Sequence, residues 1–445
     1  MINLRDYQIK FISDVSASHK LGHQGVIGMM PTGAGKTVCM ARIAKAISER
    51  NGKVLIVVHR DELVRQTCEK MALFGLKYGT IAAKWGDNPN PDAKVQVAMV
   101  QSLSRRIDND SIKREFNYLI FDEAHLAAAK SYKKIITRWP NARRLGLSAT
   151  PWRLDGQGLA EVGSEIVRGP LIADLIAIGS LVPFITYSIP VVDFSGVKKV
   201  RGEYDIEAQS KLYKRAQVIG DVASHYARLA KGRTAIVFAS SIEHSMSMTA
   251  KFNEMGFKAE HIDGETPAND RLAAIQRLDS GATTILCNYG CLTEGFDCAR
   301  VSVVIIARKT ASSALFRQMC GRGLRPHDKS GKNDCIILDH GGNAIDHGNI
   351  DYDYEFTLDG KQKNPSARLC KTCKVCQAVC ELNAVMCHVC GEQFLVEHKE
   401  RKIKEGEGEL APIASKFAPI KKTFTSMKQR NDLVTNWLEQ NGWGK

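Results

Sequence analysis

Short apolar, β-branched stretches alternate with longer segments of helical periodicity from the N-terminus onward. GVIGMM (25–30), KVLIVV (53–58), VQVAMV (95–100), NYLIF (117–121) and RRLGLS (143–148) have the continuous apolar character of strands buried on both faces. Between them KTVCMARIAKAISER (36–50) and DELVRQTCEKMAL (61–73) carry apolar residues at helical spacing. Each unit is therefore βα, and a parallel sheet covered by helices is predicted. After Pro183 the rhythm weakens, and the polar stretch 192–215 reads as a connection, so a boundary falls near 185–215. Alternation resumes with TAIVFAS (234–240), KAEHID (258–263), TTILCN (283–288), VSVVIIA (301–307) and DCIILD (334–339), which gives a second α/β domain. The resulting division is 1–190, 191–355, a cysteine-rich module at 366–396 and a basic, amphipathic tail at 397–445. In that tail Met427, Leu433, Val434, Trp437 and Leu438 are spaced as on one helix face.

Composition adds a partner class. Of 445 residues, 62 are Lys or Arg and 48 are Asp or Glu, a formal charge of +14 that favours polyanions such as nucleic acid. At 44% hydrophobic and 25% charged, the chain is neither collagenous nor globally disordered. No apolar run reaches the roughly 18 residues needed to span a bilayer, and Arg5 and Asp6 interrupt the start where a secretory signal would be apolar. No membrane role and a cytoplasmic location are the expectation.

PTGAGKT (31–37) follows an apolar strand and opens a helix, the setting in which a glycine-rich string cradles phosphate. Thr32, Gly33, Ala34 and Gly35 form the turn whose N–H groups converge on an anion, and the helix adds its positive end. Lys36 is expected on the β- and γ-phosphates of ATP and Thr37 on Mg²⁺. The general pattern asks for glycine where this chain has Met30, a departure that leaves the turn intact. DEAH (122–125) directly follows a strand, so Asp122 and Glu123 emerge where parallel sheets bind ligands. Asp122 suits the metal and Glu123 an attacking water. His125 has the blander alternative of bridging motifs without moving a proton.

With these motifs in place the chain resembles the superfamily 2 DEAH-box helicases and translocases, most nearly the bacterial and phage RadD-type DNA-repair helicases. SAT (148–150), LRDYQ (4–8), HRDELVRQ (59–66), VQSL (100–103), TEGFD (293–297) and QMCGRGLRP (318–326) occur in that family's order. The resemblance implies two RecA-like parallel-sheet domains in tandem and ATP-driven movement on nucleic acid. It places Gln8 and Arg5 near the adenine and Thr293 on the nucleic-acid backbone. Gln318 and Asp297 would sense nucleotide, while Arg322 and Arg325 would supply the transition-state charge from the second domain. The partner implied is DNA as single strand, fork or junction, with RNA open as the alternative, and a single-strand-binding or replication and repair protein as a further partner. A duplex translocase without strand separation, and an ATP-gated clamp or adaptor, are the rival functions.

Cys373-x₂-Cys376, ten residues, then Cys387-x₂-Cys390 has the spacing of a zinc ribbon, in which four thiolates meet one tetrahedral Zn²⁺. Cys370 and Cys380 stand nearby as alternative ligands, with Lys371, Lys374 and His388 around them. A redox CxxC would want a thioredoxin-like βαβ setting, which this module lacks.

Overall fold

All the stretches read as strands form strands; those apolar on both faces lie inside a covered sheet, while KAEHID, half-buried, forms an edge strand. The computed structural model describes residues 3–83, 90–109, 112–126, 130–149, 158–188, 199–200, 203–205, 207–209, 216–293, 296–353, 357–358 and 370–394. The expected tail helix, Thr150 of SAT, and Glu294 and Gly295 of TEGFD lie outside them.

The first lobe holds β1 (Gly25–Met29), β2 (Val54–Val58), β3 (Tyr78–Ile81), β4 (Val95–Met99), β5 (Tyr118–Phe121), β6 (Arg143–Ser148) and β7 (Glu165–Arg168). They form one sheet in the order β3-β4-β2-β5-β6-β1-β7, and every pairing is parallel. The second lobe takes β8 (Phe184–Ser188) after the crossing. An antiparallel pair, β9 (Lys199–Val200) and β10 (Glu203–Tyr204), precedes β11 (Ala235–Ala239), β12 (Ala259–Ile262), β13 (Ile285–Asn288), β14 (Val303–Ala307) and β15 (Cys335–Asp339). Its sheet runs β12-β13-β11-β14-β15-β8, again parallel throughout. Two RecA-like α/β lobes thus stand in tandem. β8 already pairs with β15, so the chain changes sheets before Phe184, ahead of the boundary expected after residue 190.

The topology fixes where chemistry can happen. β5, β6 and β1 are neighbours, so the segments leaving their C-terminal ends, DEAH, SAT and PTGAGKT, share one rim of the sheet. In the second lobe the segments after β13 and β14 leave the equivalent rim. A small cysteine module follows, built on the hairpin β16 (Cys370–Thr372) and β17 (Val379–Glu381). It touches the second sheet at its β8 edge, where Tyr187 bridges Ala378 and Ser188 N donates to Gln377 O at 3.2 Å. Among the described residues, no helix is long and apolar enough to cross a membrane.

Candidate functional site

The phosphate loop turns on two glycines in the left-handed region, Gly33 at φ 88° and Gly35 at φ 86°. Gly35 starts the helix Lys36–Glu49 and has no space for a side chain, since a Cβ there would sit 2.4 Å from Gln8 Nε2. Gln8 is buried against the loop, donating to Ala34 O at 3.3 Å and accepting from Arg5 N at 3.1 Å. Tyr7 donates its hydroxyl to the same carbonyl at 3.1 Å. The N-terminal motif is therefore anchored to the loop through Gln8, and Arg5 reaches Tyr7. Lys36 Nζ lies 3.3 Å from Met30 O, the residue that replaces the expected glycine.

Asp122 is 6% exposed at the end of β5, where burial, and then the neighbouring Glu123, raise its pKa. Burial would raise Glu123 too, but Lys36, His125 and Arg322 outweigh it and hold this carboxyl below its ordinary range. Glu123 takes φ 50°, a turn that brings it beside His125 Nδ1 at 3.3 Å. His125 Nδ1 also lies 3.1 Å from Ser148 Oγ, which ties DEAH to SAT.

From the opposite lobe, the helix Ser313–Gly321 delivers Gln318, whose Nε2 donates to Glu123 Oε2 at 3.3 Å. Gly321 touches the phosphate loop, for a Cβ there would stand 2.6 Å from Thr32 Cβ. Arg322 is buried and donates to Phe296 O at 2.9 Å and Thr293 O at 2.5 Å, while Arg325 pairs with Asp297. Thr32, Gly33, Gly35, Lys36, Thr37, Asp122 and Glu123 from one side, and Asp297, Arg322 and Arg325 from the other, line one cleft of about 640 Å³. Gln8, Arg5, Ala34, His125 and Gln318 are not part of its lining; each except His125 and Gln318 lies at the N-terminal anchor or within the loop.

Of a second wall of the cleft, sequence reasoning named only the HRDELVRQ end, which carries Arg65 and Gln66. Arg65, Gln66, Glu69 and Lys70 from the helix Asp61–Leu73 face Leu272, Ile275, Gln276 and Asp279 from the helix Ala268–Ser280. The signal was available in the spacing of three and four that puts each set on one helix face. Glu62 and Arg271 join these helices at 2.8 Å, and Arg60 reaches Gly290 O at 3.4 Å.

In the cysteine module, Cys373, Cys376, Cys387 and Cys390 bring their sulfurs within 4.8 Å of one another. Cys373 to Cys390 and Cys376 to Cys387 each measure 3.6 Å, close to the roughly 3.8 Å edge of a tetrahedron with 2.3 Å Zn–S bonds. For Cys387 burial opposes ionisation, but the N–H groups of Cys390 and Val389 win and lower its pKa. Burial and the neighbouring sulfurs push Cys376 the other way, so a full set of thiolates calls for a cation among them. Cys370 and Cys380 lie outside this set, Cys370 in β16 and Cys380 against Ala378 O and His388 Nδ1.

Comparison with known proteins adds family to geometry. The family described as "Type III restriction enzyme, res subunit" matches residues 1–153, and "Helicase conserved C-terminal domain" matches residues 217–327. A "51.5 kDa protein" of Lactococcus phage (isolate 7-9) is 32% identical over 92% of this chain and 86% of its own length. A Saccharomyces cerevisiae protein named as an ATP-dependent helicase, IRC3, is 30% identical over 76% of this chain, which spans only 51% of that relative. Among solved structures, a fragment named for an HsdR subunit of a type I restriction enzyme from Vibrio vulnificus has a TM-score of 0.61 at 20% identity. It covers 81% of this chain and 67% of that one, a likeness of fold.

Proposed function

Since the chain belongs to the superfamily 2 helicases, whose members are nucleic-acid motors driven by ATP and Mg²⁺, we propose that it hydrolyses ATP to move on DNA and separate its strands, in repair, recombination or replication. The observation that carries this reading is the shared cleft: Lys36, Asp122 and Glu123 of one lobe face Arg322 and Arg325 of the other across about 640 Å³. The loop N–H groups and Lys36 bind the β- and γ-phosphates. Thr37 and Asp122 would hold Mg²⁺, which would supply charge neutralisation at the phosphates. Glu123, kept anionic, orients the attacking water, and Gln318 fixes its carboxylate by donating to it at 3.3 Å. Arg322 and Arg325 stabilise the transferring phosphoryl group, a contribution of about 10³ to 10⁵ in rate where such residues have been removed. Asp297, paired with Arg325, releases that arginine toward nucleotide. Gln8 and Arg5 read the adenine from the anchor beside Ala34, and His125 transmits the state of Glu123 to Ser148.

Zn²⁺ in the four-cysteine site would clamp the C-terminal module. That module, together with the DEAH motif, supports a RadD-like DNA-repair assignment. DNA at a fork or junction is the favoured substrate, with RNA as the substrate to exclude.

The match to a restriction-enzyme family over residues 1–153 favours a second reading, translocation along duplex without strand separation. One experiment addresses both. ATP turnover is measured with single strand, duplex, fork and RNA, alongside displacement of a labelled strand from a forked duplex. Turnover stimulated by DNA with displaced strand is the expected result, and stimulation without displacement would leave only the translocase. Lys36→Ala should abolish turnover, and Glu123→Gln should retain ATP while lowering turnover about 10²- to 10⁴-fold; ordinary turnover in either would refute the assigned roles.

A further inference from the structure

The chain crosses from the first lobe to the second through Ser180–Pro183, and both ends of the crossing are fastened. Ser180 N and Leu181 N donate to Leu175 O at 2.7 and 3.0 Å, at the end of the first-lobe helix Ile172–Ala177. Val182 N donates to Leu324 O at 2.8 Å, inside the segment that carries Arg322 and Arg325. Pro183 O then accepts from Cys335 N at 2.9 Å, which begins the pairing of β8 with β15. Hand-over between lobes therefore occupies the single link from Leu181 to Val182.

Leu181 is 2% exposed, although it lies on a connection. Its side chain rests on the phosphate loop: a Cβ on Gly33 would stand 2.9 Å from Leu181 Cδ2 and 3.7 Å from Arg325 Cγ. The leucine and the stem of Arg325 thus share the space left by one missing side chain. An apolar group there has nothing to offer a phosphate, so its effect on the reaction is geometric. We infer that Leu181 is a positioning residue that seats Arg325 on the phosphate loop, through the space the two side chains share over Gly33 and the Val182–Leu324 hydrogen bond next to it.

This inference rests on the proposed role of the arginines. Displacement of a charged group by about 1 Å from its productive place costs about 10²-fold in rate. A leucine that served packing alone would instead lower stability on truncation, without acting through any one arginine.

The test uses the full chain with DNA-stimulated ATP turnover resolved into kcat and KM for wild type, Leu181→Ala, Leu181→Met, Arg325→Ala and the double variant Leu181→Ala/Arg325→Ala. Leu181→Ala should lower kcat about 10- to 100-fold with KM for ATP changed less than about threefold, and Leu181→Met should recover most of the loss. The double variant should turn over no more slowly than Arg325→Ala, because the leucine then has nothing to seat. Multiplying losses in the double variant, or a methionine variant as impaired as the alanine one, would overturn the inference. So would an ordinary kcat in Leu181→Ala beside an impaired Arg325→Ala, and that outcome would spare the arginine reading. An ordinary kcat in Arg325→Ala would sink the arginine reading and this inference with it. Should Leu181→Ala fail to fold, Leu181→Val and Leu181→Met carry the same comparison.

Discussion

His340 stands at the end of β15, 3% exposed and stacked on His225 with ring centroids 5.2 Å apart. Burial, with His225 and His244 beside it, pushes its pKa from 6.5 down to about 3. His244, also buried, falls to about 4. An unfolded chain takes up these protons below 6.5, whereas the folded chain refuses them until the lower values are reached. Stability therefore rises with pH across that window and drains as pH falls, by about 1.4 kcal/mol per unit and per histidine. His340→Phe keeps the ring stack and removes the proton, so its melting temperature should fall less steeply between pH 6.5 and 4 than that of the wild type. Parallel melting curves against pH would contradict this account. None of it was legible in the sequence, because a histidine after a strand reads the same whether it faces water or a core. The placement of Lys36, Asp122 and Glu123 at one cleft was legible, since a glycine turn and a strand end fix where such residues emerge.

Elements were legible in proportion to how far they are buried on both faces. The central strands β1, β2, β5, β11 and β14 are continuous apolar runs. β3, β7 and β8 were passed over, because edge strands carry glycine or polar residues and lack that signature, as in Tyr78–Ile81 and Glu165–Arg168. Missing β8 is what set the expected boundary too late. The cysteine module was readable from spacing, although spacing left Cys370 and Cys380 open until the sulfur positions separated them. Zinc content by mass spectrometry should fall from one ion toward none in Cys373→Ser while Cys380→Ser keeps it. Retained zinc in Cys373→Ser would refute the ligand set. Turnover of ATP should suffer less than zinc binding, for the phosphate loop and DEAH belong to the other lobe.

At the scale of the molecule, the sequence put the motifs in order, HRDELVRQ among them, but not the meeting of the helix Asp61–Leu73 with Ala268–Ser280 across the cleft. No spacing rule pairs Glu62 with Arg271, because that contact depends on how two separately folded lobes meet. Both side chains keep some solvent contact, 42% and 22% exposed, so the pair should be worth little more than about 1 kcal/mol. Arg271→Glu should lower DNA-stimulated turnover about two- to fivefold at low salt, and Glu62→Arg in the same chain should restore it. Failure of the swap to rescue would show that the pair does not set the meeting of the lobes.

The bridge from Tyr187 to Ala378 has one more outcome. β8 is the last strand of its sheet, and a last strand offers unused N–H and C=O groups to any chain that arrives. The cysteine hairpin occupies part of that row, so a metal that clips the hairpin also sheathes the sheet, and stripping it would leave a raw margin open to zippering between copies.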